Sequence, residues 1–380
     1  MLSSNNQQGQ QEQEVGGFNQ EKQKNNNKQK NSFSNRYTKA TTTGLKNLGN
    51  TSYLNAVLQL LGSIRPFASF FTNPQNQKFF SDNISSLPFS FIIYRLFLHL
   101  YPYPEKEQRE IYKPDSLHKH LGEINVVYKS LKERNPNDLI IFILDTLHKE
   151  LNHSQNQQKK EPQNIYDKNN VLECFKYNFL IEYNSVISNH LNWCEIKRTE
   201  CSVCKKRIYN IQTYNSLELD ILQCFRNKNN TPLNIYDCLQ YYIRIKNYSL
   251  FCNLCKKCTS MMSYTKILSS TNILIFSLNR GNFDQNLMNI SFQVDNNLNL
   301  DKFIEYKNSL RNYILTGIVS FSLNDKKYVS FCRSPVDFKW YLYNDDIIQP
   351  IEIKNILLNH NNNNQYIPCI LIYTSSFNNK

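Results

Sequence analysis

The sequence has no long hydrophobic run. Its most apolar stretch, PFSFIIYRLFLHLYPYP at residues 88–104, is interrupted by Arg95 and His99 and is too short to span a bilayer. It reads as a buried helix, and no membrane partner is expected. Residues 1–40 also lack an apolar run, so no secretory signal is expected there. The expected compartment is cytoplasmic or nuclear, where thiols stay reduced. The 11 cysteines then read as metal ligands or core residues, not as a disulfide framework. Charge is scarce as well, with Asp, Glu, Lys and Arg making up 20% of the chain. The net charge is +13, yet no arginine-rich block occurs and the lysines are scattered. Compositional bias accounts for this balance, and nucleic acid is not an expected partner.

What is present is aromatic and aliphatic. Apolar residues make up 40% of the 380, with 24 Tyr and 23 Phe, enough for a sizeable core. Residues 1–40 are Gln, Asn, Lys and Ser with little else, and such a segment cannot offset its ordering entropy. A disordered tail is expected there, followed by a folded domain over 41–377. Biased patches at 154–164, 226–231 and 359–365 read as expanded surface loops.

The folded part changes texture along its length. SYLNAVLQLLGSI from residue 52 predicts a helix with Leu54, Val57, Leu58 and Leu61 on one apolar face, stopped near Gly62 and Pro66. NPNDLIIFILDTLHKEL at 135–151 predicts another, opened by turn-prone residues and closed by basic ones. From about residue 195 the runs RIYNIQTYNSLELDI, NILIFSLNR, YILTGIVSFSL, KYVSFC and YIPCILIYT are short, β-branched and aromatic. Helices first and strands second give an α+β order.

Two stretches carry chemistry. CSVCKK at 201 and CNLCKK at 252 place Cys201, Cys204, Cys252 and Cys255 in a C-x2-C…C-x2-C pattern. Four thiolates suit a tetrahedral structural zinc, with no position left for water. Cys258 offers a shifted pairing with Cys255, but 252/255 repeats the first knuckle, lysines included. The second stretch is GLKNLGNTSYLNAVLQLL at 44–61, where turn residues feed a helix start. Unpaired N–H groups and the helix dipole make such a junction suitable for a nucleophile. The residue there is Ser52, which would otherwise be an ordinary helix N-cap.

These segments, in this order, resemble the ubiquitin-specific proteases, a family of cysteine deubiquitinases. GLKNLGNTSYLNAVLQLL is similar to the family's cysteine box, NDLIIFILDTL at 137–147 to its Gln-Asp box, and the paired CxxC motifs to its zinc-ribbon fingers. TNILIFSLNR at 271–280 is similar to a strand ending in Leu-x-Arg. YILTGIVSFSLNDKKYVSFC with KWYLYNDD is similar to the histidine box. The resemblance implies a papain-like right hand. The helical thumb would span about 44–190, the zinc-ribbon fingers about 195–265 and the β palm about 266–377. It also implies ubiquitin or a ubiquitin-like modifier as partner.

Carried over by position, the resemblance makes Asn47 the oxyanion donor, Ser52 the nucleophile, Lys327 the base, and Asn344 the residue that orients the base, with Asp345 beside it. Two of these depart from the family. Ser52 stands for cysteine, and an alcohol needs an aligned base where a thiol of pKa about 8.5 ionises by itself. Lys327 stands for histidine, and a free lysine side chain, with pKa about 10.4, is a cation at neutral pH. No histidine lies between His190 and His360. A catalytically inactive, ubiquitin-binding member is therefore expected. The alternatives are a pseudo-protease scaffold subunit of a larger complex, and an active hydrolase working through a Ser52–Lys327 dyad.

Overall fold

The computed structural model describes residues 42–101, 111–154, 157–281, 284–306, 309–361 and 365–376. The tail expected over 1–40 lies outside the described residues. Eight α-helices are found among the described residues up to 191. They are α1 Ser52–Gly62, α2 Arg65–Thr72, α3 Pro74–Asp82, α4 Pro88–Leu100, α5 Asp115–Ile124, α6 Pro136–Leu151, α7 Lys168–Glu182 and α8 Val186–Leu191. The polar composition supplies their caps. The side chains of Asn73, Asn135 and Asp167 each accept a first-turn N–H, and Ser185 closes a capping box with Ser188. The apolar run at 88 forms α4, with Phe89, Ile93, Leu96, Phe97 and Leu100 buried. No helix of the described residues is long and apolar enough to cross a membrane.

Helix α1 corrects one expectation. A single apolar face was anticipated, yet all 11 residues are buried, including Ser52, Asn55 and Gln59. The helix runs between the large sheet on one side and α6 on the other, so no face is left for water. Pro66 does more than stop it: it sits in the first turn of α2, where a missing N–H is harmless.

The second half forms two sheets. Strands β1 Trp193–Cys201, β2 Arg207–Tyr214, β4 Lys246–Cys252 and β5 Lys257–Ser269 make a four-stranded antiparallel sheet in the order β2-β1-β5-β4. The run RIYNIQTYNSLELDI breaks after β2 into the short β3 Leu217–Leu219, and Asp220 then caps helix α9 Ile221–Asn227. Helix α10 Ile235–Tyr242 follows. The eight-stranded sheet adds β6 Ile273–Leu278, β7 Asn297–Asn299, β8 Asn312–Ser322, β9 Lys327–Arg333, β10 Trp340–Asn344, β11 Ile347–Ile351 and β12 Tyr366–Ser375. Its order is β11-β10-β9-β8-β12-β6-β3, with β7 paired to β8.

Both faces of this sheet are covered. One packs against α1 and the other helices through Val319, Tyr328, Ile370 and Ile372, and the opposite face against α9, α10 and the 290–304 segment. At the end of the NILIFSLNR strand, Arg280 is buried and donates to the carbonyls of Leu287, Ile290 and Pro368. Burial pushes its guanidinium down to about 10. It ties the irregular segment after β6 onto β12 in place of a strand pairing.

The close approach of residues 44–45 to the β10–β11 turn depends on a missing side chain. A Cβ on Gly44 would lie 2.4 Å from the Asp346 carbonyl oxygen, a backbone atom that cannot step aside. Gly44→Ala should lower the unfolding free energy by about 1–3 kcal/mol, the usual range for overpacking, as read by urea denaturation.

Candidate functional site

The loop before α1 is folded around one side chain. The Asn47 carbonyl oxygen accepts from Gly49 N, Thr51 N and Thr51 Oγ1 at 3.0, 3.1 and 3.1 Å. Such a turn, built by an asparagine on its own backbone, needs no partner from elsewhere. One hydrogen of the Asn47 amide group is then committed to the Asp345 carboxylate at 3.1 Å. The loop is held at its flanks by Leu45 N on Asp345 O and by Asn50 N on Leu131 O, at 3.0 and 3.1 Å. A cleft of about 470 Å³ opens beside it, lined by Lys46, Asn47, Leu48, Lys113, Asp115, His118 and Leu131.

Ser52 is not the cap of α1. Thr51 occupies that position, and Ser52 is the first helical residue, 2% exposed. Its Oγ accepts from the Tyr328 N–H of β9 at 3.1 Å. The Glu133 carboxyl interacts with the same hydroxyl. Burial pushes that carboxyl above the usual range, and the Ser52 hydrogen bond draws it partly back. The other Glu133 oxygen, Oε1, is buried without a partner. The serine therefore joins three segments: the helix start, strand β9 and the loop before α6.

Lys327 opens β9, opposite Ser322 of β8. Its Nζ lies 2.9 Å from Asp345 Oδ2, with the lysine side chain 31% exposed and the aspartate 4%. Asp345 stands in the β10–β11 turn at φ +58°, a left-handed conformation that aspartate tolerates better than most residues. Its second oxygen accepts from Asn55 Nδ2 at 2.8 Å. Four donors thus converge on this residue: three side chains on its carboxylate and one backbone N–H on its carbonyl. The structure brings Asn47, Ser52, Lys327 and Asp345 into one connected cluster. Asn344 faces elsewhere: its amide group is directed at Asp325, 3.5 Å away, and its own oxygen is buried without a partner.

His118 lines the cleft beside Asn47, its Nε2 buried without a partner, while three other imidazoles are engaged elsewhere. His99 lies against Tyr112, His148 bonds Ser185, and His360 is buried between Ser320 and the Ile356 carbonyl. No hydrogen bond joins a histidine to Ser52, Lys327 or Asp345 among the described residues. Two members of the cluster were not identified from sequence. Asn55 left a signal, since Asn55 and Gln59 are polar residues four apart in an apolar helix. Glu133 left none, because only the fold carries its loop to Ser52.

At the far end of the four-stranded sheet, the Sγ atoms of Cys201, Cys204, Cys252 and Cys255 all lie within 4.8 Å of one another. Cys201 and Cys255 are 3.9 Å apart, and Cys204 and Cys252 3.8 Å. Zinc–thiolate bonds of about 2.3 Å in a tetrahedron separate sulfurs by nearly that distance, so the four residues fit the ion. Cys258 is exposed and outside the cluster, which favours the 252/255 pairing over the shifted one.

Two stability predictions follow from the cluster. Asp345→Ala leaves an ammonium and two amides without their acceptor and should cost about 3 kcal/mol, more than Lys327→Met at the more exposed end, by urea denaturation. For Glu133, burial raises the folded value above the unfolded one of about 4.3. Its contribution is then most favourable below that pH and is lost as pH rises through the folded value. Glu133→Gln should therefore melt higher than the parent near neutral pH, and the gap should close as pH falls toward about 4.

Comparison with known proteins agrees with this architecture. Residues 43–373 match the family described as ubiquitin carboxyl-terminal hydrolase. Ubiquitin carboxyl-terminal hydrolase 5 of Saccharomyces cerevisiae is 23% identical over 349 residues, covering 81% of this chain and 42% of the yeast protein. Probable ubiquitin carboxyl-terminal hydrolase 16 of Schizosaccharomyces pombe is 21% identical, with 83% of this chain and 64% of that protein covered. The chain thus spans less than half the length of the budding-yeast relative. Among solved structures, the fold is similar to one in the SAGA DUB module Ubp8/Sgf11/Sus1/Sgf73 bound to monoubiquitin. The TM-score is 0.65 at 17% identity, covering 91% of this chain and 73% of that one. The helical region, the eight-stranded sheet and the cysteine-tipped sheet are the thumb, palm and fingers of the papain-like right hand. On the family match over 43–373 and this shared fold, the chain belongs to the ubiquitin carboxyl-terminal hydrolase family.

Proposed function

We propose that this chain is a non-hydrolysing member of its family that binds ubiquitin or a ubiquitin-like modifier. One observation carries the reading: the residue at the family's histidine position, Lys327, is ion-paired at 2.9 Å with the buried Asp345. Acyl transfer needs an acceptor for the nucleophile's proton. An ammonium bonded to a carboxylate has no lone pair to offer. The Ser52 oxygen, moreover, already accepts from the Tyr328 N–H. These contacts argue against the Ser52–Lys327 dyad. They also give Asn47, Ser52, Lys327 and Asp345 a structural role, with Asn344 outside it.

Binding rests on what catalysis does not use. The palm strands and the cysteine cluster of the fingers are intact, and a broad docking surface does not require a working nucleophile. Cys201, Cys204, Cys252 and Cys255 would hold a structural zinc, which staples the two knuckles and leaves no coordination position for chemistry. The chain's fold resembles one found with ubiquitin inside a four-protein module. That likeness also favours a second reading, in which this chain is a scaffold subunit of a larger complex. The free thiols of the described residues fit a reducing compartment, cytoplasm or nucleus.

The test is a titration of the full chain with ubiquitin, followed by NMR, with zinc content measured on the same sample. Binding at micromolar concentration is expected, together with about one zinc per chain. No release of fluorophore from a fluorogenic ubiquitin substrate is expected, with Ser52→Ala indistinguishable from the parent. Hydrolysis abolished by Ser52→Ala would overturn the inactive reading. Absence of ubiquitin binding at high micromolar concentration would leave the scaffold reading.

A further inference from the structure

One part of the molecule is rich in cations. The four-stranded sheet and its two knuckles, residues 193–214 and 246–269, hold nine lysines and arginines against two carboxylates, Glu195 and Glu200. Glu195 is buried and taken by Tyr214 and Tyr242, and Glu200 is paired with Arg207 at 2.8 Å. A zinc tetrathiolate, with a formal charge of about −2, would still leave the sheet strongly cationic.

The charge is concentrated at the tip. Lys205 and Lys206 leave the first knuckle, and Lys256 and Lys257 leave the second; all four are exposed. None of them enters an ion pair among the described residues. Lys205 and Lys256 have φ of +58° and +54°, in the left-handed region that favours glycine. Both knuckles thus place a lysine where a residue without a side chain would be less strained. Strain kept twice at equivalent positions points to a use for the side chain.

The cations alternate with apolar faces. Phe251 is 57% exposed and Tyr248 40% exposed on the edge strand β4. Lys197 lies 5.5 Å from the Tyr248 ring centre, and Phe251 pairs with Cys258, next to Lys257. Tyr248 and Phe251, three residues apart on β4, face opposite sides of the sheet, and Phe251 is the ring on the side of Cys258, beside Lys257. Exposed lysines next to an open ring match a flexible chain of phosphates and bases. An acidic peptide would use the lysines and leave the Phe251 ring without a stacking partner. We propose that the fingertip binds single-stranded nucleic acid. Lys205, Lys206, Lys256 and Lys257 would contact phosphates, and Phe251 would stack on a base. This surface is separate from the Ser52 cluster.

Fluorescence anisotropy of a labelled oligouridylate of about 12 nucleotides, titrated with the full chain, tests this. Between about 50 and 200 mM salt, the logarithm of affinity should fall with a slope of about −3, set by four phosphate contacts on a single strand. Replacing all four lysines by glutamine should weaken binding by at least about tenfold and flatten the slope. Lys205→Gly with Lys256→Gly removes two contacts while relieving both strained positions. That double variant should keep its zinc and melt no lower than the parent, yet lose nearly half the slope. Phe251→Ala should weaken binding by about tenfold with the slope unchanged. An unaltered affinity and slope in the four-lysine variant would overturn the proposal and move binding to other cations of the chain. So would absence of binding at low salt, or displacement of the oligonucleotide by polyglutamate of equal charge.

Discussion

The carboxylate of Asp345 receives donors from three segments far apart in sequence: Asn47 in the loop before α1, Asn55 within α1 and Lys327 at the start of β9, at 3.1, 2.8 and 2.9 Å. Its carbonyl oxygen accepts from Leu45 as well. A buried charge is tolerated only when its lone pairs are used, and here they are used by partners that must all be in register. Through this one group, the elbow, the central helix and the palm hold a common geometry. Ser52 reinforces it by accepting from Tyr328 N at 3.1 Å, so the position expected for a nucleophile also bonds helix to strand.

That network ties the elbow, the central helix and the palm together through residues at the family's catalytic positions. In a working site, a base must be able to take up and release a proton, which requires a partner that orients it without fixing its charge. On the reading proposed above, a lysine salt-bridged to a carboxylate offers no lone pair for a nucleophile's proton. On that proposed reading, the contact that stabilises the palm against the elbow also works against chemistry. Nothing in this trade affects the outer surfaces. The fingers, with their cysteine cluster at the far end of a separate four-stranded sheet, have their own small core of Cys201, Cys252 and Met261.

The asparagine richness of the chain shapes its loops and helix starts. Asn47 folds the elbow turn, Asn73, Asn135 and Asn234 cap helices, and Asn55 reaches the buried carboxylate. Short amides that can bond their own backbone suit loops and helix starts, the places where this sequence uses them.

Local patterns sufficed for much of this. The two CxxC knuckles announced a metal-sized cluster because four thiols at that spacing have few other uses. The α6 segment was legible from its caps and its periodicity, and the order of boxes gave the right hand. Position alone named Ser52, Lys327 and Asp345. Their partners were beyond it. Asn344 and Asp345 are neighbours in sequence, and only the left-handed turn at Asp345 decides which of them meets Lys327. Ser52 looked like a cap because a cap is a local device, whereas its actual partner, Tyr328, comes from another strand. Glu133 was likewise invisible, since burial is a property of neighbours in space. The sequence alone determined the residues and the turns; the tertiary structure decided which of them touch, because hydrogen bonds and ion pairs act over a few ångströms whatever the distance along the chain.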